Sequence, residues 1–202
     1  MVQIADSGDR ARSEAAQGTR SMKSKLLGAA AVLALVGSAA LAANEPMVGG
    51  AAMYPSKDIV DNAVNSKDHT TLVAAVKAAG LVETLKGAGP FTVFAPTNAA
   101  FNALPPGTVD TLVKPESKPA LTKILTYHVV PGRLDRLELD RLVKSGGGKA
   151  MLKTVEGDSL TVAENGKGIT VTDDQGGTAM VTIADVYQKN GVIHVVDKVL
   201  MP

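Results

Sequence analysis

The chain has 202 residues, 21 basic against 20 acidic, with no cysteine, no tryptophan and only three Phe and three Tyr. A near-neutral composition without a basic cluster argues against nucleic acid or anionic lipid as partner. Without cysteine there is no disulfide, thiol nucleophile, cysteine-ligated metal or acylated N-terminal Cys, and the length suits one domain plus an extension.

The extension comes first. Residues 1–21 show no apolar period and read as a disordered lead or a misassigned start. Residues 22–42 read as a signal peptide: Lys23 and Lys25 precede an uncharged run rich in Leu, Ala and Val, which closes on Ala40-Leu41-Ala42. Its apolar core, residues 26–36, falls short of the ~20 residues of a membrane span, so no membrane insertion is expected after cleavage. Cleavage at Ala42 removes five of the 21 basic and three of the 20 acidic residues, leaving 160 residues with one net negative charge. The product is expected to be secreted or periplasmic and stabilised by its core alone.

Residues 43–54, with Pro46, Gly49 and Gly50, read as a linker, and 55–202 as the folded domain. Ser56 is expected to cap a helix burying Ile59, Val60, Ala63 and Val64. A second helix follows His69, with Leu72, Val73, Val76 and Ala79 on one face and Gly80 as its stop; Leu81, Val82 and Leu85 make a short third. Phe91, Val93 and Ala95 then alternate with Thr92 and Phe94 as in a strand buried on one face and partly covered on the other. Pro96 ends it, and Thr97 or Asn98 caps a helix carrying Phe101. Short helices are predicted at Val109–Leu112 and Ala120–Leu125, an extended segment at residues 127–130, a turn at Pro131-Gly132 and a helix through Leu134–Val143. From Ala150 the period becomes two. Five strands, 151–155, 160–163, 169–172, 179–186 and 192–200, alternate with tight-turn chemistry such as Asn165-Gly166 and Asn190-Gly191. A helical first half followed by an antiparallel run is an α+β domain, present in one copy.

Three segments together resemble the fasciclin domain: Gly89-Pro90-Phe91-Thr92-Val93-Phe94-Ala95-Pro96-Thr97-Asn98-Ala99-Ala100-Phe101 its first signature, Leu125-Thr126-Tyr127-His128-Val129-Val130 its central Tyr-His motif, and residues 190–200, with His194 and Asp197, its closing signature. The resemblance runs from about Pro55 to Pro202. It implies a β-wedge or sandwich with several α-helices packed around it, the first and last signatures being neighbouring central strands. Phe91, Val93, Phe94, Pro96, Thr97, Asn98, Phe101, His194 and Asp197 are then motif residues of structural role. It also implies adhesion or matrix contact, with Tyr127 and His128, the region linked to integrin binding in animal members, as contact residues.

His128, flanked by apolar residues, reads first as a buried imidazole satisfied by backbone or by a hydroxyl such as that of Thr97. His194 reads as a core or cross-strand residue and His69 as a helix-entry residue. The spacing of the three histidines offers no local ligand pair, so no metal and no cofactor is expected; Asp173-Asp174 reads as a solvated hairpin tip, lacking the ligand spacing of a calcium loop. No Gly-x-Ser-x-Gly elbow is present, and Gly146-Gly147-Gly148-Lys149 follows a helix, so it is no phosphate loop. The expected function is a non-enzymatic, monomeric adhesion or envelope-binding module for a cell-surface or extracellular protein or polysaccharide, with Arg133 and Arg136 as contact candidates. The lack of tryptophan counts against a stacked sugar platform. The alternatives are a periplasmic small-ligand-binding or enzymatic protein, and a homophilic structural protein joined through an edge strand.

Overall fold

The structure is a computed structural model that describes residues 45–202; the lead and signal-peptide readings lie outside them. Nine strands and seven α-helices follow one another among the described residues. A hairpin of β1 (Met47–Val48) and β2 (Ala51–Ala52) leads to α1 (Ile59–Ala63), α2 (Thr70–Ala79), α3 (Val82–Lys86) and β3 (Phe91–Pro96). Next come α4 (Asn98–Asn102), α5 (Thr108–Leu112), α6 (Lys118–Tyr127), β4 (Val129–Pro131) and α7 (Arg136–Ser145). Five strands complete the chain: β5 (Lys149–Lys153), β6 (Ser159–Asn165), β7 (Gly168–Thr172), β8 (Thr178–Gln188) and β9 (Gly191–Val196).

The α+β expectation holds. One seven-stranded sheet has the order β4-β3-β9-β8-β7-β6-β5. Every pair in it is antiparallel except β3–β9, which runs parallel from Phe91 beside Gly191 to Pro96 beside Val196. The first and last signatures are therefore neighbours, as the resemblance implied, and stand second and third from the β4 edge of the sheet. Beyond β5 the chain curls back to the opposite edge, where Val155 N–H donates to the Val129 carbonyl at 2.7 Å. That bond brings the two sheet edges together and blunts the exposure of unpaired backbone.

The β3–β9 pair separates two apolar cores. On one face Val93, Ala95, Ile193 and Val195 meet α1, α2, α4 and α6 through Val60, Val76, Phe101 and Leu125. On the other, Phe94 and Val196 join Tyr127, Leu139, Leu160 and Val171 inside the curled sheet. Both faces of β3 are thus fully covered, and residues 92–96 are all buried. The near-continuous apolar run Phe91–Pro96 is what a strand buried on two sides requires. A side chain at residue 191 has no room here, because a Cβ on Gly191 would run into the Phe91 carbonyl.

Three readings need correction. The supposed linker is part of the domain from residue 45 onward: Val48 and Met53 are 4 % and 2 % exposed, and Lys67 N–H donates to the Gly49 carbonyl. Gly49, at φ +58°, lies so close to Ser66 and Asp68 that a Cβ would collide with both. Helix α1 is capped by Asp58, whose carboxylate accepts from Asp61 N–H, not by Ser56, and Val64 stays exposed. Third, α6 continues to Tyr127 with His128 as its C-cap, and extended structure starts only at Val129. The β-branched pair Val129-Val130 had suggested that the strand began earlier; a buried helical face of Leu121, Ile124, Leu125 and Tyr127 outweighs that propensity.

Candidate functional site

The Tyr-His motif sits where α6 hands over to β4, deep between the two cores. Tyr127 is fully buried; its hydroxyl donates to the Ser159 carbonyl and accepts from Asp174 N–H, both at 3.1 Å. Burial pushes its phenol up to about 12, so it remains a donor. His128 is 2 % exposed. Its Nδ1 faces the Ile124 carbonyl at 2.8 Å and its Nε2 faces Leu200 N–H at 3.0 Å. A carbonyl can only accept and an amide N–H only donate, so both contacts form only in the neutral Nδ1–H tautomer. Desolvation drives the His128 pKa down to about 4, in agreement with that assignment. The backbone satisfies this ring without help from Thr97.

His194 has the mirror arrangement. Its Nε2 donates to the Leu134 carbonyl at 2.8 Å, its Nδ1 accepts from Asp185 N–H at 3.3 Å, and its ring stacks on Phe94 at 5.7 Å. Burial lowers its pKa as well. The two signature histidines therefore fasten the central strands to distant chain segments, one at residue 200 and the other at residues 134 and 185.

The other motif residues divide in the same way. Thr97 caps α4 through Ala100 N–H at 3.2 Å, whereas Asn98 reaches back to α2, accepting from Thr71 N–H at 3.0 Å and donating to the Lys67 carbonyl at 2.8 Å. Asp197 accepts from Met180 N–H at 2.7 Å and holds the start of β8 against β9. Pro96 closes β3, and Phe91 packs at the margin of the helical core.

Arg133 and Arg136 lie on the surface, but neither is idle. Arg133 donates through Nη2 to the carbonyls of Gln188 and Lys189 at 3.0 and 3.2 Å. Arg136 stands 3.7 Å from Asp140 and 3.8 Å from Glu164, and its backbone N–H donates to Asp185 at 2.7 Å. Asp185 lies within an irregular stretch of β8, at φ 59°, a left-handed conformation uncommon outside glycine. Around it gather Tyr187, whose hydroxyl lies 3.4 Å from Asp135, and Leu137, which is 79 % exposed. The 131–137 segment and the β8 irregularity meet through Arg136 and Asp185 at the surface, whereas Tyr127 and His128 are buried in the interior.

Sequence reasoning missed several buried polar anchors. Thr92 donates to the Gly132 carbonyl at 2.7 Å and accepts from Leu134 N–H at 2.8 Å. Asn190, read only as a turn residue, accepts from Ile59 N–H and donates to the carbonyls of Leu85 and Gly87. Asn62 and Gln188 pair side chain to side chain in the interior. Asp173 is buried, not a solvated tip: its carboxylate accepts from Gly177 N–H at 2.6 Å and Met201 N–H at 3.0 Å. The one available signal was a polar residue at an inward strand position, as at Thr92. Among the described residues, no cluster of three or more His, Cys, Asp or Glu side chains could hold a metal ion. Nor is any helix among them long and apolar enough to cross a membrane.

A parallel strand pair between two cores, pinned by two neutral histidines, defines an α+β module. The sequence profile of the fasciclin domain matches residues 67–202, and the chain belongs to the fasciclin domain family. It is 47 % identical over 156 residues to Protein sll1483 of Synechocystis, covering 77 % of this chain and 79 % of that one. It is 37 % identical over 172 residues to Immunogenic protein MPB70 of Mycobacterium bovis, covering 82 % and 80 %. To the Transforming growth factor-beta-induced protein ig-h3 of Sus scrofa it is 37 % identical over 150 residues, 73 % of this chain but only 20 % of that protein. A solved domain pair from the insect cell adhesion molecule Fasciclin I aligns at 23 % identity with a TM-score of 0.49, over 64 % of this chain and 43 % of that one.

Proposed function

We propose that this chain is a secreted, non-enzymatic adhesion module that binds a protein of the cell envelope or its surroundings. The contact face is the surface built from residues 131–137 and the β8 irregularity: Arg133, Arg136, Leu137 and Tyr187. The observation that carries this reading is the company Leu137 keeps. A leucine 79 % exposed lies on the segment whose Arg136 N–H meets Asp185, a non-glycine residue in the left-handed region, and whose Asp135 meets the exposed Tyr187. Exposed apolar and aromatic side chains with arginine are what central contacts of protein interfaces are made of, and backbone strain concentrates where function requires it.

Protein is favoured over polysaccharide by the charges. Arg133 is engaged with carbonyls, and Arg136 faces Asp140 and Glu164, so the face presents both signs instead of a cationic cradle for a carboxylated sugar. Secretion is supported by the charged-then-apolar pattern of residues 22–42. The non-enzymatic reading is supported by the two signature histidines, whose ring nitrogens are all occupied by backbone and so do not serve as bases for a nucleophile.

The test is a binding assay of the purified protein against intact cells, isolated envelope and secreted polysaccharide, beside an Arg133→Ala/Leu137→Ser double variant of confirmed fold. Saturable envelope binding that weakens at least tenfold in the variant is expected. Equal binding by the variant would move the face elsewhere, and binding only to polysaccharide would overturn the choice of a protein partner.

A further inference from the structure

His69 is the histidine that neither signature explains. It is 3 % exposed and its Nδ1 pairs with Ser66 Oγ at 2.9 Å, but its Nε2 is buried without a hydrogen-bond partner. The Ala95 carbonyl lies near enough to affect the ring's titration, yet it does not meet Nε2 in hydrogen-bonding geometry. A buried polar group left without a partner costs about 1 to 3 kcal/mol, and each such group calls for an explanation.

The explanation lies beside it. His69 lines a cavity of about 50 Å³ between the helices and the β3–β9 pair, walled by Val60, Val76, Val93 and Ile193. The lining also includes His128, whose nitrogens are both taken, and Ser66, already paired with His69. It reaches Ala63, Val73, Lys77 and Val82, which are half-buried or exposed, so the cavity opens outward between α1, α2 and α3. His69 Nε2 is thus the unpartnered buried polar atom of a largely aliphatic lining. Burial lowers the His69 pKa, which keeps the imidazole neutral, so the ring holds no anion and the one cation of the lining, Lys77, stands at the exposed mouth.

We propose that this cavity is a binding site for an uncharged aliphatic alcohol, its hydroxyl on His69 Nε2 and its carbons against the valine and isoleucine wall. The hydroxyl follows from the tautomers. If Ser66 donates to Nδ1, Nε2 carries the proton and needs an acceptor; if Nδ1 donates to Ser66, Nε2 needs a donor. A hydroxyl serves either state, whereas a carbonyl serves only one. The size follows from the volume. One water needs about 10 to 15 Å³ of cavity space, so a cavity of about 50 Å³ takes a hydroxyl and a short aliphatic stem. A longer chain would leave through the opening past Ala63, Val73 and Val82. The ligand is therefore a free short alcohol or the hydroxyl end of a longer aliphatic chain, and chain length tells the two apart.

The experiment follows methyl chemical shifts of Val60, Val76, Val93 and Ile193 in the protein titrated with 1-propanol, 1-octanol and pentane, for wild type, His69→Phe and Ala63→Leu. Saturable shifts with 1-propanol are expected, weakened at least tenfold in His69→Phe while pentane is unaffected, and weakened also in Ala63→Leu, which narrows the opening without touching the histidine. Tighter binding of 1-octanol identifies a chain end; exclusion of 1-octanol identifies a free short alcohol. Absence of saturable shifts with both alcohols, or pentane binding as tightly as 1-propanol, would overturn the proposal. So would a resident water on His69 that no alcohol displaces. Should His69→Phe fail to fold, Ala63→Leu and the alcohol-to-pentane ratio in wild type still decide.

Discussion

The junction around His128 and the pocket around His69 are built from the same materials and end in opposite states. Both rings are buried, both are held neutral by desolvation, and both lie against valine- and leucine-rich walls. At His128 one ring nitrogen bonds the Ile124 carbonyl four residues back and the other the Leu200 N–H at the far end of the chain, so both are occupied. At His69 one nitrogen is occupied by a neighbour three residues away and the other is buried without a hydrogen-bond partner. A buried polar side chain with all its partners ties elements together, and one lacking a partner leaves a place for something else. The Tyr-His motif is accordingly architecture, and the pocket and the surface around Leu137 are the places where we propose binding.

The sharpest way to break this comparison is to remove the fully bonded ring. His128→Ala strands the Leu200 N–H and a helix-end carbonyl and opens a cavity, with an expected loss of about 4 kcal/mol in chemical denaturation. A loss near zero would mean that the ring holds nothing together. Next comes pH. His128 has a folded pKa of about 4 against 6.5 for the free side chain, so the unfolded chain takes the proton first. Its contribution is present in full above about pH 6.5, falls as the pH drops towards 4, and amounts to about 3 kcal/mol over that window. His69 and His194 are lowered too, and their effect has the same sign. Urea midpoints that stayed flat between pH 7 and pH 4 would contradict the neutral assignment.

A smaller effect is expected from Thr92→Val, which keeps the shape and deletes the hydroxyl between Gly132 and Leu134, at about 2 kcal/mol. The smallest belongs to the unfilled site. His69→Phe gives up only the bond to Ser66 and should shift stability by less than about 1 kcal/mol. Equal losses for His69→Phe and His128→Ala would erase the distinction between the two regions.

How far the sequence carried depended on the range of the interaction. The strand ending at Pro96, the Gly80 helix stop and the strand-turn rhythm after Ala150 are local patterns, and the structure follows them, although β3 is buried on both faces where its alternation predicted one buried and one partly covered. The parallel pairing of β3 with β9 joins segments about a hundred residues apart; periodicity is silent on that, and only the resemblance to a family supplied it. The anchors at Asn190, Asp173 and Thr92 were out of reach for the same reason, since each bonds across 28 residues or more. Asn98 offered two local roles, and the choice was made by α2, an element that packs against it only in the folded chain. At Tyr127 and His128, motif chemistry pointed towards contact while the apolar neighbours pointed inward, and burial decided between them.

The account rests on neutral, fully bonded signature histidines, and long-range nitrogen–proton NMR of the imidazole rings across pH 5 to 8 tests it most directly. The account predicts an Nδ1–H tautomer for His128 and an Nε2–H tautomer for His194, neither titrating in that range. Either ring protonating near its free-solution value in the folded protein, or His128 carrying its proton on Nε2, would contradict it.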